Sequence, residues 1–187
     1  MDTYMKSKNA YEHPLKDKDI LREFTKEPPS PKIHISKEGE VKNVPGHKRF
    51  VGEDGSLTDL TNAVDFLCKE GTPIKAAKEG KVFDVYTRCN ENYSGIIPPT
   101  KKVLPEEKQD GNYVVIEHPN KEYSIYSHLK SDGIVVTKGQ EVKAGDVLGY
   151  SGNTGWSIEP HLHFMVFKLD KKGLKRYLKS LEINWKK

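Results

Sequence analysis

The chain predicts an all-β fold: an antiparallel β domain behind an extended N-terminal arm. Three observations carry this. From Leu60 onward, short runs alternate apolar and polar residues, as in Gly80-Lys-Val-Phe-Asp-Val-Tyr86, which is the period of a half-buried strand. Turn-forming residues separate these runs, at Gly71-Thr-Pro73 and Asp170-Lys-Lys-Gly173. Residues 1 to 31 are instead rich in Lys, Glu, Asp and Pro. On this basis residues 1–44 are expected as an arm or linker and residues 45–187 as the β domain.

Taken in order, Asp19 to Lys26 has Ile20, Leu21 and Phe24 on one helical face and is expected as a short helix. Glu27-Pro-Pro-Ser-Pro31 stops it. Ile33–Ile35 and Glu40–Val44 read as short strands leading in. Ala63–Leu67, the end of Gly71–Ala77, and Gly80–Tyr86 are the next strands. Asn90 to Asp110 holds Pro98, Pro99 and Pro105 without periodicity and reads as a long loop. Tyr113–His118, Tyr123–His128, Val147–Ser151 and Leu162–Lys168 follow as strands. A turn at Asp170–Gly173 leads to Leu174–Leu178, and Leu181–Trp185 is the last strand.

Gly71-Thr-Pro-Ile74, Gly80-Lys-Val82 and Val142-Lys-Ala-Gly-Asp-Val-Leu-Gly149 suggest a barrel-sandwich, duplicated-hybrid-motif-like arrangement, similar to lipoyl and biotinyl carriers. A carrier needs an exposed hairpin lysine beside a methionine or small residue. Met165 has no such lysine beside it, and the other methionines are only Met1 and Met5, so the carrier reading fails.

Composition excludes other classes. Hydrophobic residues make up 35% of the chain and charged residues 31%. That is polar, yet a β domain of about 140 residues still buries one core. The formal charge of +4 is mild and the lysines are scattered, so no nucleic-acid partner is indicated. No apolar run is long enough to span a membrane. Met1 to Ala10 lacks the hydrophobic core of a signal peptide. The compartment stays open between an intracellular protein and an exported one whose leader is absent from this chain. Cys68 and Cys89 are the two cysteines. A disulfide between neighbouring strands is conceivable, and unlinked thiols are the favoured reading.

The chemistry concentrates in Ser151-Gly-Asn-Thr-Gly-Trp-Ser-Ile-Glu-Pro-His161-Leu-His163-Phe-Met-Val166. Residues two apart on a strand share a face. His161 and His163 therefore project into one site, where imidazole serves as metal ligand or as general acid and base. Gly149, Gly152 and Gly155 allow tight turns beside it.

The surrounding motifs resemble peptidase family M23, the lysostaphin-type zinc endopeptidases. Asn62 to Val82 resembles the first half of that family. Gly111-Asn-Tyr-Val-Val-Ile-Glu-His118 and Tyr123-Ser-Ile-Tyr-Ser-His128-Leu129 resemble its middle, and Lys138 to Gly149 with the His-x-His segment resembles its end. The resemblance runs in order from residue 45 to 185. It implies one zinc ion per chain, with Asp65 and His163 as metal ligands and His161 and His128 as catalytic histidines. It implies a peptide or peptidoglycan-type substrate, with glycine-containing peptides among the candidates. Asn112 resembles a residue that lines the family's site, against the alternative of a solvated turn. Tyr150 and Trp156 flank the turn before the site, either to stack on substrate or to pack the turn.

The resemblance breaks at one position. Thr61 stands four residues before Asp65, where the family has a histidine ligand. A threonine hydroxyl is a poor zinc ligand. His47, in Val44-Pro-Gly-His-Lys-Arg-Phe50, is the candidate replacement, and an exposed histidine at a Pro-Gly turn is the competing reading. Two functions follow from this. One is a zinc metallopeptidase using a metal-activated water. The other is a degenerate, non-catalytic binding or regulatory module without stable zinc. His13, His34 and His118 lack any such context.

Overall fold

A computed structural model describes residues 5–19, 22–24, 34–35, 41–42, 49–51, 57–94, 109–172 and 175–186. The early strands are β1 (Lys6–Tyr11), β2 (Arg22–Phe24), β3 (His34–Ile35), β4 (Val41–Lys42), β5 (Arg49–Val51) and β6 (Leu57–Asp59). The central ones are β7 (Val64–Leu67), β8 (Pro73–Lys75), β9 (Gly80–Tyr86), β10 (Asn112–His118) and β11 (Glu122–Leu129). The last are β12 (Glu141–Val142), β13 (Val147–Tyr150), β14 (His161–Lys172), β15 (Lys175–Ser180) and β16 (Glu182–Trp185). Helix in named elements is confined, among the described residues, to the 3₁₀ segments Asp17–Asp19 and Pro119–Lys121. None is long and apolar enough to cross a membrane.

The all-β, largely antiparallel fold expected from the sequence is what forms. The main sheet runs β12-β9-β10-β11-β14-β15-β6-β5, and β7 adds to β14 and carries β2. The pairs β13-β8, β1-β16 and β3-β4 stand apart. Period-2 alternation sorts the sheet into two faces. On one face Tyr126, Phe164, Val166, Leu162, Val114 and Ile116 join the main core. On the other, Val115, Tyr123, Ile125, Met165 and Phe167 form a second apolar cluster.

The predicted helix at Asp19–Lys26 gives way to strand β2, which pairs antiparallel with β7. Pairing with a sheet edge outweighs local helical periodicity there. The turn expected at Asp170–Gly173 begins later, because β14 extends through Lys172 and pairs Lys172 with Lys175. The expected loop between Asn90 and Asp110 lies mostly outside the described residues.

Within the segment read as an arm, β1 pairs parallel with β16 and buries Tyr11 and, just beyond it, Leu15. The fastening is Glu122, fully buried on β11. Its carboxylate accepts the backbone N–H of Lys8 (2.6 Å) and Asn9 (3.2 Å) and the Tyr11 hydroxyl (3.1 Å). Such charge-assisted bonds offset the cost of burying a carboxylate.

Both cysteines are buried, unlinked thiols. Cys68 follows β7 and Cys89 follows β9, strands that are not hydrogen-bonded neighbours. Burial raises the Cys68 thiol above its usual range, which keeps it protonated and inert.

Candidate functional site

Four side chains meet on the face of the second apolar cluster. Asp65 on β7 lies directly opposite His163 on β14 in the antiparallel ladder, so both point the same way. The His163 Nδ1 sits 2.9 Å from Asp65 Oδ1. Two residues back along β14, His161 takes the same face, with Nε2 3.9 Å from Asp65 Oδ1.

His128 reaches this group by breaking the alternation of β11. Strict period 2 would place it with Ser124 and Tyr126, in the main core. The register of β10 with β11 shifts between Asn112 and Val114, so Ser127 and His128 together oppose Tyr113 as a β-bulge. His128 adopts φ +61°, a left-handed conformation unusual for histidine. The bulge turns its ring to the site, with centroids 4.6 Å from His161 and 6.0 Å from His163. Asp110 O accepts the His128 N–H at 2.9 Å, and the Gly152 N–H donates to His128 O at 3.0 Å. A Cβ on Gly152 would collide with the Lys130 backbone, so only glycine closes this contact.

The segment 151–160 fixes the imidazoles. His128 Nδ1–H donates to Thr154 O at 2.8 Å, and His161 Nδ1–H donates to Glu159 O at 2.8 Å. A carbonyl only accepts, so Nδ1 carries the hydrogen in each ring and Nε2 of the neutral ring keeps its lone pair. Burial holds His128 well below the usual imidazole range, and the neighbouring His161 and His163 add to this. His128 is therefore neutral at neutral pH. The side chains of Asp65, His161 and His163 keep 18%, 12% and 8% of their exposure, so the group is mostly buried but still touches solvent.

Asp65 and His163 fit two positions of a zinc site. Ligands about 2.0–2.2 Å from a tetrahedral ion lie about 3.3 Å apart, so their atoms need to open only slightly. The Thr61 hydroxyl is not aimed there: both it and the Thr61 N–H bond to the Asp59 carboxylate, in an Asx-type turn. Among the described residues no group of three or more His, Cys, Asp and Glu forms a metal cage. His47 lies outside the described residues.

Other sequence candidates resolve as follows. Asn112 is fully buried and clamps Cys89, accepting its N–H at 2.9 Å and donating to its carbonyl at 2.8 Å. It is not a solvated turn. His118 is also buried, with Nδ1 2.8 Å from Glu79 O and Nε2 2.8 Å from the Ser124 hydroxyl. His13 stacks on Trp185. Tyr150 and Trp156 are exposed beside the site. The sequence reading passed over Ser157, whose hydroxyl touches both Glu159 O and His161 Nδ1. Its place four residues before His161, just after the glycine-rich turn, is the available signal.

The comparisons with known proteins point to one family. The family model described as Peptidase family M23 matches residues 59–175. The peptidoglycan DD-endopeptidase ShyA of Vibrio cholerae is 40% identical over 103 residues, 55% of this chain and 19% of ShyA. The glycyl-glycine endopeptidase ALE-1 of Staphylococcus capitis is 34% identical over 102 residues, 54% of this chain and 23% of its own length. The crystal structure of a zinc-containing peptidase from Vibrio cholerae aligns with a TM-score of 0.52 at 28% identity, over 84% of this chain and 36% of that one. In these alignments the chain spans less than a quarter of the two curated relatives' lengths.

Proposed function

Because this chain belongs to peptidase family M23, we propose that it is a zinc metallopeptidase hydrolysing peptide bonds in peptidoglycan-type or glycine-containing peptides. The observation that carries the reading is the convergence of Asp65, His163, His161 and His128, which requires a strained bulge at His128. Strain of that kind persists where function needs it. The names of the relatives, a peptidoglycan DD-endopeptidase and a glycyl-glycine endopeptidase, support this substrate class.

In this reading Asp65 and His163 hold zinc, with His47 as the third ligand in place of Thr61. Bound zinc supplies an acidified water and polarises the scissile carbonyl. His161 presents its Nε2 lone pair to take the water proton, and the Asp65 carboxylate 3.9 Å away stabilises the resulting positive ring. The His128 ring lies 4.6 Å from that of His161. The proton that His161 takes from the water is the one delivered to the leaving amine, and His128 Nε2 donates to the oxyanion only while it carries that proton on the way.

The test is digestion of purified peptidoglycan and of short glycine-containing peptides, scored by newly released amino groups. The reading expects release that chelation stops and that H161A abolishes. No release by a zinc-loaded protein contradicts it.

One observation favours the second reading, a non-catalytic binding or regulatory module. The Thr61 hydroxyl is engaged by Asp59, so the usual first ligand position is closed. His47→Ala separates the two readings. Loss of zinc and activity supports the repaired site, and retention of both removes His47 from it.

A further inference from the structure

We propose that Ser157 is a positioning residue for His161, fixing the imidazole through a closed triangle of Ser157 Oγ, Glu159 O and His161 Nδ1. This rests on the reading of His161 as the group that handles the proton.

The triangle follows from donor counting. Ser157 Oγ is 2.9 Å from Glu159 O, His161 Nδ1 is 2.8 Å from the same carbonyl, and Nδ1 is 3.0 Å from Ser157 Oγ. The carbonyl has no hydrogen, so it accepts from both the serine hydroxyl and the ring N–H. The serine has spent its one hydrogen on Glu159, so its lone pair faces Nδ1–H, whose single hydrogen is shared between the carbonyl and the serine as a three-centre bond. The ring nitrogen is thus held from two directions and Nε2 is turned toward Asp65. A serine serving only the turn would need no contact with the imidazole.

The two histidines differ in how they are confined. His128 has one carbonyl partner but is enclosed on all sides, at 6% exposure. His161 is more open, with 12% of its side chain exposed. A second hydrogen bond supplies what packing supplies for His128.

Ser157 is itself held firmly. It is 1% exposed. Asn92 Nδ2 donates to both Ser157 O and Asn153 O at 2.7 Å. Neighbouring backbone groups tie down the same turn: the Trp156 N–H donates to Gln109 O at 3.0 Å, and the Gly155 N–H to Glu91 O at 2.9 Å.

The experiment follows the His161 Nδ1 proton by nitrogen-edited NMR on the zinc-free full chain, with the His128 Nδ1 proton as an internal control. In S157A the His161 proton is expected to exchange with solvent about tenfold faster while that of His128 is unchanged. S157T, which keeps the hydroxyl, restores protection. With peptide substrate, S157A is expected to lower kcat about tenfold and leave KM nearly unchanged. Unchanged protection in S157A overturns the proposal, whatever S157T does. If wild-type protein cleaves no peptide, the peptidase reading fails, and the exchange comparison still decides the placement of Ser157.

Discussion

Asp65 Oδ1 and His163 Nδ1 stand 2.9 Å apart because their residues are direct partners across the β7–β14 ladder. Their approach is set by register, so the pair is built into the sheet. A one-residue slip of either strand would turn that strand's side chain to the opposite face and part the pair.

Asp65→Asn keeps the shape of the side chain and removes its charge. Zinc affinity is expected to fall by more than about a hundredfold, because loss of a ligand exceeds the loss seen for groups that only support one. The fold should persist, since β7 keeps its backbone pairing. Competition with a chelating dye measures the first effect and thermal unfolding the second.

The bulge at His128 makes a separate prediction. Asn tolerates the left-handed conformation seen there and a β-branched residue does not. His128→Val is expected to be less stable than His128→Asn by about 1–2 kcal/mol in urea unfolding. Both should lose peptide hydrolysis, because neither carries the ring that faces His161.

Much of this was open to sequence reasoning, for identifiable reasons. Strands β9, β10, β11 and β14 alternate clearly, and His-x-His on a strand forces His161 and His163 onto one face. The family resemblance pointed to His128, but its route to the site was not legible, because simple alternation assigns it to the main core and only the register shift moves it. Glu122 gave no signal either. Its partners are two backbone N–H groups and a tyrosine more than a hundred positions away, and nothing local marks a buried carboxylate. Thr154 acts through its carbonyl, which every residue type possesses.

Glu122 should hold the N-terminal strand in place. Glu122→Ala leaves the Lys8 and Asn9 N–H groups and the Tyr11 hydroxyl without this acceptor. It is expected to destabilise the protein by about 3 kcal/mol. Limited proteolysis should then cut within residues 5–15 before the rest of the domain.

His118 gives the stability a pH dependence away from the site. Burial lowers it below the ordinary imidazole range, so the folded state favours the neutral ring. Above about pH 6.5 both folded and unfolded chains hold the ring neutral, and its contribution is fully present. As the pH falls below that value the unfolded chain takes up a proton first, and stability drops until the folded pKa is passed. The slope from this group reaches at most about 1.4 kcal/mol per pH unit. Urea titrations between pH 7 and pH 5 should show a smaller loss for His118→Asn than for wild type.

The most direct test is the zinc content of the purified, tag-free chain, measured by elemental analysis after loading with stoichiometric zinc and exhaustive dialysis. About one zinc retained per chain, and none in Asp65→Ala, is the predicted result for a site completed by a third ligand. No zinc retained by wild type would contradict the metallopeptidase reading and leave the non-catalytic module.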